Sequence, residues 1–373
     1  VAAASGRQAQ GGAVANDFTV IDVDGHTFEP DELWERYLPA SLHARRPRLV
    51  RDERGTTRYQ LEGKVIPPGT GRGAWVPEGM RESSVHREGA VDPKLRLEDM
   101  DLEGIDIAVL YGVVSLGFYA MEDRELGNAV CRAYNDWLAD YCAADPARLK
   151  GTPALPLKWI DDACVEAERA VRDLGFVSIT APCAVGERNA DDPANDPLYA
   201  LAQELDVPVG FHAGGGRFAY KNFVDSYAQL HALEFPFNIM FALTTVVCGG
   251  VLERFPRLRV AMLEAGVGWA PYYLERLDEH YEHRPHEFPH LTKAPSEYVG
   301  EGRVFISTEG EDHLPYAMSV LGGGSSIVWA SDYPHWDSSF PRSVTKVTDR
   351  TDLTHEQKRA LFETNPKRLF GWT

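Results

Sequence analysis

Val20-Ile21-Asp22-Val23-Asp24-Gly25-His26-Thr27-Phe28-Glu29-Pro30 begins as an apolar, β-branched run and then sets Asp22, Asp24 and His26 at alternate positions. In a strand, alternate side chains point to one side of the sheet, so all three share a face. Two residues along a strand span roughly 7 Å, a distance that two side chains can close onto one ion and three cannot. The pair expected to meet an ion is therefore Asp24 and His26, at the strand end, with Asp22 deeper. Taken alone, the same pattern describes a polar strand end that caps a turn at Gly25. The rest of the chain decides between them.

Residues 29–92 follow as a long irregular stretch with scattered Gly and Pro, many arginines, and the aromatics Trp34, Tyr37, Tyr59 and Trp75. Segments of this length within a compact domain are usually functional lids or disordered, and the aromatics favour a folded lid inserted after the first strand. A helix is expected from Pro93, with Leu95, Leu97, Met100 and Leu102 near one face and Gly104 as its stop. From there, strand-type runs at 107–114, 152–157, 176–181, 207–212, 258–263, 304–307 and 327–331 alternate with helical patterns. Apolar strands separated by helices imply parallel pairing buried on both faces. With the first strand they make eight units, most economically closed as a single α/β domain, a (β/α)8 TIM barrel over residues 18–373. Residues 1–17, rich in Ala, Gly and Gln, read as a disordered tail or a leftover of cloning.

The chain of 373 residues is 44% hydrophobic and 25% charged, as expected of an ordinary globular enzyme. Its formal charge of -18 argues against a nucleic-acid or anionic-membrane partner, since counterion release needs a basic surface. No run of about 18 apolar residues is present, so no membrane span is expected. Five cysteines without a CxxC spacing fit free thiols in a reducing, cytoplasmic compartment.

In a barrel of this kind, residues at the C-terminal strand ends gather in one mouth. Those ends offer Asp24 and His26 on the first strand, His212 on the fifth, Glu264 on the sixth and Asp332 on the eighth. Each has an ordinary reading: His212 as a satisfied core histidine, Glu264 and Asp332 as helix or turn caps. Four separate strand ends all offering metal-ligand types are much harder to obtain by accident. Imidazole with carboxylate suits one divalent ion, zinc first, with manganese or iron as further choices. His335, three residues beyond Asp332, is placed to orient a ligand or touch substrate. His280, His283, His286 and His290 are spaced like a second site, but Pro285 and Pro289 break the helix, so they read as a solvated helix end. The apolar stripe of Ile239, Phe241, Leu243, Val246 and Val247 reads as core or subunit interface. No GxSxG signature supports a covalent nucleophile.

The stretches Ile21-Asp22-Val23-Asp24-Gly25-His26, Phe211-His212-Ala213-Gly214-Gly215, Leu263-Glu264-Ala265-Gly266 and Ser331-Asp332-Tyr333-Pro334-His335 resemble the amidohydrolase superfamily. More narrowly they resemble its branch of aminocarboxymuconate-semialdehyde and γ-resorcylate decarboxylases, as do Leu97-Glu98-Asp99-Met100-Asp101 and Asn365-Pro366-Lys367-Arg368-Leu369-Phe370. The resemblance covers about residues 18–371 and implies a barrel with a mononuclear metal site. Position by position, it makes His26, His212 and Asp332 ligands and sets Asp24 where the first-strand motif has its other ligand. It further implies Asp332, Glu264 and His335 as catalytic residues, and a homodimer or homotetramer. Glu264 departs from the branch, whose decarboxylases place a histidine there; it is either a further ligand or a general acid/base. Two ionised carboxylates already neutralise a divalent ion, so an ionised Glu264 leaves a negative site, which Arg81 or Arg217 would balance.

The activity implied is non-oxidative decarboxylation of an aromatic or unsaturated acid. The alternative is hydrolysis by metal-activated water, with Asp332 or Glu264 taking its proton. A third class is a non-catalytic barrel that binds a small ligand.

Overall fold

In the computed structural model, which describes residues 17–51, 57–66, 87–212 and 227–372, eight parallel strands carry the site. They are β1 (Ile21–Thr27), β2 (Ile107–Gly112), β3 (Leu149–Gly151), β4 (Ile179–Ala181), β5 (Val209–Phe211), β6 (Val260–Met262), β7 (Val304–Thr308) and β8 (Ile327–Trp329). Their ladders form two sheets, β1-β2-β3 and β8-β7-β6-β5-β4, and among the described residues no ladder joins the two. Backbone hydrogen bonds cross both seams, and at the one between β1 and β8 there are two, since His26 N–H also donates to Tyr333 O at 2.6 Å. Val177 N–H donates to Gly151 O at 3.1 Å, and Asp332 N–H donates to Asp24 O at 3.0 Å.

Alternation along the strands sorts side chains into two clusters. Ile21 and Val23 of β1, Val109 and Tyr111 of β2, Ala261, Leu263, Phe305, Val328 and Ala330 share one interior. Ala108, Leu110, Ile179, Val209, Phe211, Met262, Ile306 and Trp329 point the other way, into the layer built by the helices. Period-two sorting of this kind is what strands buried on both faces require. The main helices are α1 (Pro93–Glu103), α2 (Arg124–Cys142), α3 (Ile160–Arg172), α4 (Asp196–Leu205), α5 (Tyr227–Cys248), α6 (Ala270–His283), α7 (Leu314–Val320) and α8 (Asn365–Phe370).

Two expectations need correction. The third strand lies at Leu149–Gly151 and not at 152–157. Pro153 and Pro156 have no N–H to give a ladder, so the apolar run after Thr152 cannot pair as a strand. The second concerns α1, which is capped as expected. Asp92 accepts from Lys94 N–H and Leu95 N–H, and Gly104 closes the helix in the left-handed region at φ 80°. Its buried face, however, is Arg96, Asp99, Met100 and Glu103, while Leu102 is 62% exposed. The helix turns its charges inward because it packs behind the loops that carry the site.

Within 29–92, the described part holds a short helix (Asp31–Tyr37) and a small antiparallel sheet of Arg48–Arg51, Thr57–Leu61 and Lys64–Ile66. Trp34 packs edge-on against Phe118, the Tyr37 hydroxyl meets Asp140, and Tyr59 donates to Glu29 O. Trp75 and Arg81, like Arg217 and residues 1–16, lie outside the described residues. Among those described, one helix, Ala228–Cys248, is by length and composition able to cross a membrane. Its Ile239, Leu243, Val246 and Val247 are buried in the core, while Phe237 is exposed. All five cysteines are free thiols.

Glu29, two residues past β1, is a buried carboxylate that accepts from Val114 N–H and Ser115 N–H. Burial outweighs those donors and pushes its pKa up from 4.5 to about 7. Between those values the native state holds a proton that the unfolded chain has lost, so stability falls as pH rises. Relative to Glu29→Gln, the wild type is expected to lose on the order of 3 kcal/mol from about pH 4.5 to about pH 7. Thermal unfolding of both proteins across that range checks this, and parallel curves contradict it.

Candidate metal centre

β1 does not run regularly. Asp22 pairs with Ala108 and Gly25 with Leu110, so three steps on β1 oppose two on β2, a bulge of one residue. Asp22 thereby parts company with the other two. Its carboxylate accepts from Ser331 N–H at 2.9 Å and Ser331 Oγ at 2.6 Å, with Arg96 Nη2 at 4.0 Å. Burial pushes its pKa up to about 6 against the opposing pull of Arg96 and Ser331. Asp24 and His26 face the strand ends of β5 and β8 instead.

There the donor atoms are spaced as ligands. His26 Nε2 lies 3.4 Å from Asp24 Oδ1 and 3.3 Å from Asp332 Oδ1, and His212 Nε2 lies 3.3 Å from Asp24 Oδ1. Neighbouring donors on an ion with bonds of about 2.1 Å stand roughly 3.0–3.4 Å apart. Both His26 ring nitrogens and Asp24 Oδ2 are buried without a hydrogen-bond partner. Orphaned buried polar atoms are costly, and one of them, His26 Nε2, faces the carboxylates of Asp24 and Asp332. Two groups of donors, Asp24 with His26 and His212, and His26 with Glu264, Asp332 and His335, thus share His26, and either has the spacing that could hold a divalent cation.

The electrostatics agree. Burial and the nearby His335 lower the His26 pKa to about 4, leaving the neutral imidazole that ligates metals. Burial alone would lower His212 too, but Glu264 and Asp24 hold it well above its usual value; the same carboxylates that favour a proton there favour a metal ion. Burial opposes ionisation of Asp332, yet His335 and His26 outweigh it and keep this carboxyl well below the usual range.

Glu264 and His335 join the cluster from its edge. Glu264 Oε2 lies 2.9 Å from His212 Nδ1, and Glu264 Oε1 lies 3.4 Å from His335 Nδ1. Burial, partly offset by His212, pushes the Glu264 pKa up to about 7. His335 Nδ1 is 2.8 Å from Asp332 Oδ1, and its ring centroid is 4.2 Å from that of His26. Burial would lower its pKa, but Asp332 and Glu264 push it up to about 9. Glu264 and Asp332 both take left-handed backbones, φ 59° and 53°.

All six residues singled out at the strand ends thus meet: Asp24, His26, His212, Glu264, Asp332 and His335. His280, His283, His286 and His290 are exposed and form no such group. Residues that sequence reasoning missed include Arg96, which donates to His26 O at 3.0 Å, and Tyr111, whose ring centroid lies 5.3 Å from that of His212. Charged residues at 96, 99 and 103, spaced as one helix face, were the signal available for the first. Beside His212, a narrow cleft is lined by Tyr111, Ser115, Tyr119, Ala154 and Thr180.

Parallel strands with a mixed carboxylate–imidazole cluster at their C-terminal ends define the class of α/β metal enzymes. The amidohydrolase family profile matches residues 21–372, and the chain belongs to that family. It is 26% identical over 245 residues to 2-amino-3-carboxymuconate-6-semialdehyde decarboxylase of Dictyostelium discoideum, covering 65% of this chain and 67% of that one. It is 26% identical over 285 residues to γ-resorcylate decarboxylase of Rhizobium radiobacter, covering 72% and 86%. Among solved structures, 5-carboxyvanillate decarboxylase of Novosphingobium aromaticivorans, complexed with manganese and 4-hydroxy-3-methoxy-5-nitrobenzoic acid, superposes with a TM-score of 0.71. That match is 20% identical and covers 95% of this chain and 97% of that one.

His26→Ala removes the donor that two carboxylates flank. Its manganese affinity is expected to fall by roughly 100-fold or more, with an unchanged far-UV circular dichroism spectrum. Titration with Mn²⁺ measures this; wild-type affinity in the variant would remove His26 from the ligand set.

Proposed function

We propose that the chain is a divalent-metal-dependent decarboxylase of an aromatic carboxylic acid. The observation that carries the reading is the donor spacing around His26, whose orphaned Nε2 faces two carboxylates at ligand–ligand distances. Asp24, His26, His212 and Asp332 hold the ion. Manganese is the first choice and zinc the second, since two carboxylates accompany two imidazoles and manganese occupies the carboxyvanillate enzyme. The two sheets are read as halves of one closed (β/α)8 barrel over 18–373, supported by the shared interior and the three seam hydrogen bonds. Residues 29–92 are read as its lid, supported by Trp34 on Phe118 and by Leu61 beside Gly117, on the 115–120 turn that borders the cleft. Exposed Phe237, Tyr272 and Tyr316 support a homodimer or homotetramer, and the free thiols support a cytoplasmic setting.

The bound ion would supply positive charge to hold substrate oxygens and stabilise negative charge as it develops. The cleft beside His212, lined by Tyr111 and Tyr119, has a free volume of about 20 Å³ and would have to widen to receive the substrate ring. As the bond between ring carbon and carboxylate breaks, its electron pair stays on the carbon and CO₂ leaves. His335 gives that carbon the proton from Nε2, because its Nδ1 is committed to Asp332. Asp332 keeps the imidazole protonated at neutral pH and fixes its plane.

Manganese-loaded protein is expected to release CO₂ from a member of a hydroxy- and methoxybenzoate panel, with loss of activity on chelation and recovery on adding Mn²⁺. His335→Gln should keep the metal and lose about 100-fold or more in kcat. Incorporation of ¹⁸O from water into product, with no CO₂, reassigns the protein to hydrolysis. Neither signal, with no metal bound, reassigns it to a ligand-binding barrel.

A further inference from the structure

Glu264 stands closest to His212, at the ring nitrogen opposite the one that faces Asp24, while one of its oxygens also lies within 4.8 Å of donor atoms of His26, Asp332 and His335. The His212 ring presents Nε2 to Asp24 Oδ1 at 3.3 Å and Nδ1 to Glu264 Oε2 at 2.9 Å. An imidazole ligates through one nitrogen, and the hydrogen bond made by the other decides which one carries the proton. A carboxylate on Nδ1 keeps the proton there and leaves the Nε2 lone pair for a cation. The second oxygen is engaged as well, 3.4 Å from His335 Nδ1, the ring that also meets Asp332 Oδ1 at 2.8 Å. The backbone is built to aim this carboxylate. Leu263 N–H donates to Phe211 O on β5 at 3.0 Å, and Glu264 N–H donates to Ser307 Oγ on β7 at 3.1 Å. Just past those two anchors, Glu264 adopts φ 59°, an unfavourable conformation for a side chain of this size.

We infer that Glu264 is the positioning residue of the metal centre, fixing the tautomer and plane of His212 with one oxygen and tethering His335 with the other. It is neither a ligand nor the proton donor. The inference rests on the reading of His212 as a ligand and is independent of the reaction catalysed. The carboxylate makes one unit of the group that holds the ion and the group that delivers the proton.

The test uses Mn²⁺ affinity and the ¹⁵N spectrum of selectively histidine-labelled protein loaded with Zn²⁺, a diamagnetic probe of the same site. Glu264→Gln retains an oxygen that accepts Nδ1–H, and its Mn²⁺ affinity is expected within about 3-fold of wild type. Glu264→Leu has no acceptor, and its affinity should fall about 10- to 100-fold, the usual cost of losing the partner of a ligating histidine. Its His212 resonances should also lose the Nδ1–H pattern that Glu264→Gln keeps. Glu264→Ala repeats the measurement if leucine prevents folding. Equal, large losses in the glutamine and leucine variants overturn the inference and make Glu264 a ligand. Unchanged affinity and spectra in every variant overturn it and make Glu264 scaffolding. Wild-type affinity in His212→Ala would fail the ligand assignment, and this inference with it. Absence of decarboxylation leaves the inference untouched, because no readout depends on turnover.

Discussion

Behind the metal centre, Arg96 is buried to 1% exposure and Asp22 to 0%, and the two charges face each other across 4.0 Å. A guanidinium does not shed its proton, so burying one demands a partner, and Asp22 is that partner at some cost to its own ionisation. Such a pair is weak evidence for stability, and its value here is geometric. Arg96 donates to His26 O at 3.0 Å and stacks over the Tyr333 ring at 4.2 Å from its centroid. It therefore grips the bulged end of β1 and the loop after β8 together. Those two segments carry three of the four proposed ligands. Gly25 sits in the bulge because a Cβ there would run into the Arg96 guanidinium and the Asp22 carboxylate.

The same helix does more of this work through its neighbours. Asp99 accepts from the Tyr333 hydroxyl at 2.5 Å and pairs with Arg87, while Glu103 accepts from Ser343 N–H and Val344 N–H. This explains why reading α1 by its leucines chose the wrong face: Leu102 is in solvent because the helix exists to deliver Arg96, Asp99 and Glu103. The strand ends were legible because each ligand type follows an apolar run directly, as Glu264 follows Val260–Leu263. The bulge in β1 was not, since an inserted residue leaves no mark in an alternation of Asp, Asp and His. Nor was the contact of Glu264 with His212, which depends on the lateral order of β5, β6 and β7 and on a left-handed turn.

The placement of His335 alters the charge balance that the sequence alone presents. Asp24 and Asp332 offset a divalent ion, which leaves Glu264 as a third carboxylate seemingly without a counterpart. His335, with its pKa at about 9, lies within 3.4 Å of Glu264 and 2.8 Å of Asp332. A protonated imidazole in contact with both carboxylates would offset the third negative charge from inside the cluster. A neutral site can accept an anionic aromatic acid, which a net negative one would repel. The two features that looked separate, an unexpected glutamate on β6 and a histidine beyond β8, are then one compensated pair.

Glu264 and Asp332 are also where the backbone departs from what their residue types prefer. A left-handed conformation costs an ordinary L-residue roughly 1–2 kcal/mol, and glycine would remove that cost at either place. Glycine would also remove the carboxylate. Both residues lie two or three positions past a strand, at points where the chain must turn away from the barrel axis while a side chain points back into the mouth. A right-handed turn at these positions would carry the carboxylate outward with the chain. The strain is held by Asp332 N–H on Asp24 O and Glu264 N–H on Ser307 Oγ, bonds that reach to neighbouring strands and not along the turn itself. Glu62 and Asp206 also take left-handed backbones, at turns away from the cluster, but at Glu264 and Asp332 the overruled preference coincides with a carboxylate turned toward the clustered histidines, which ties the strain there to the chemistry of the site.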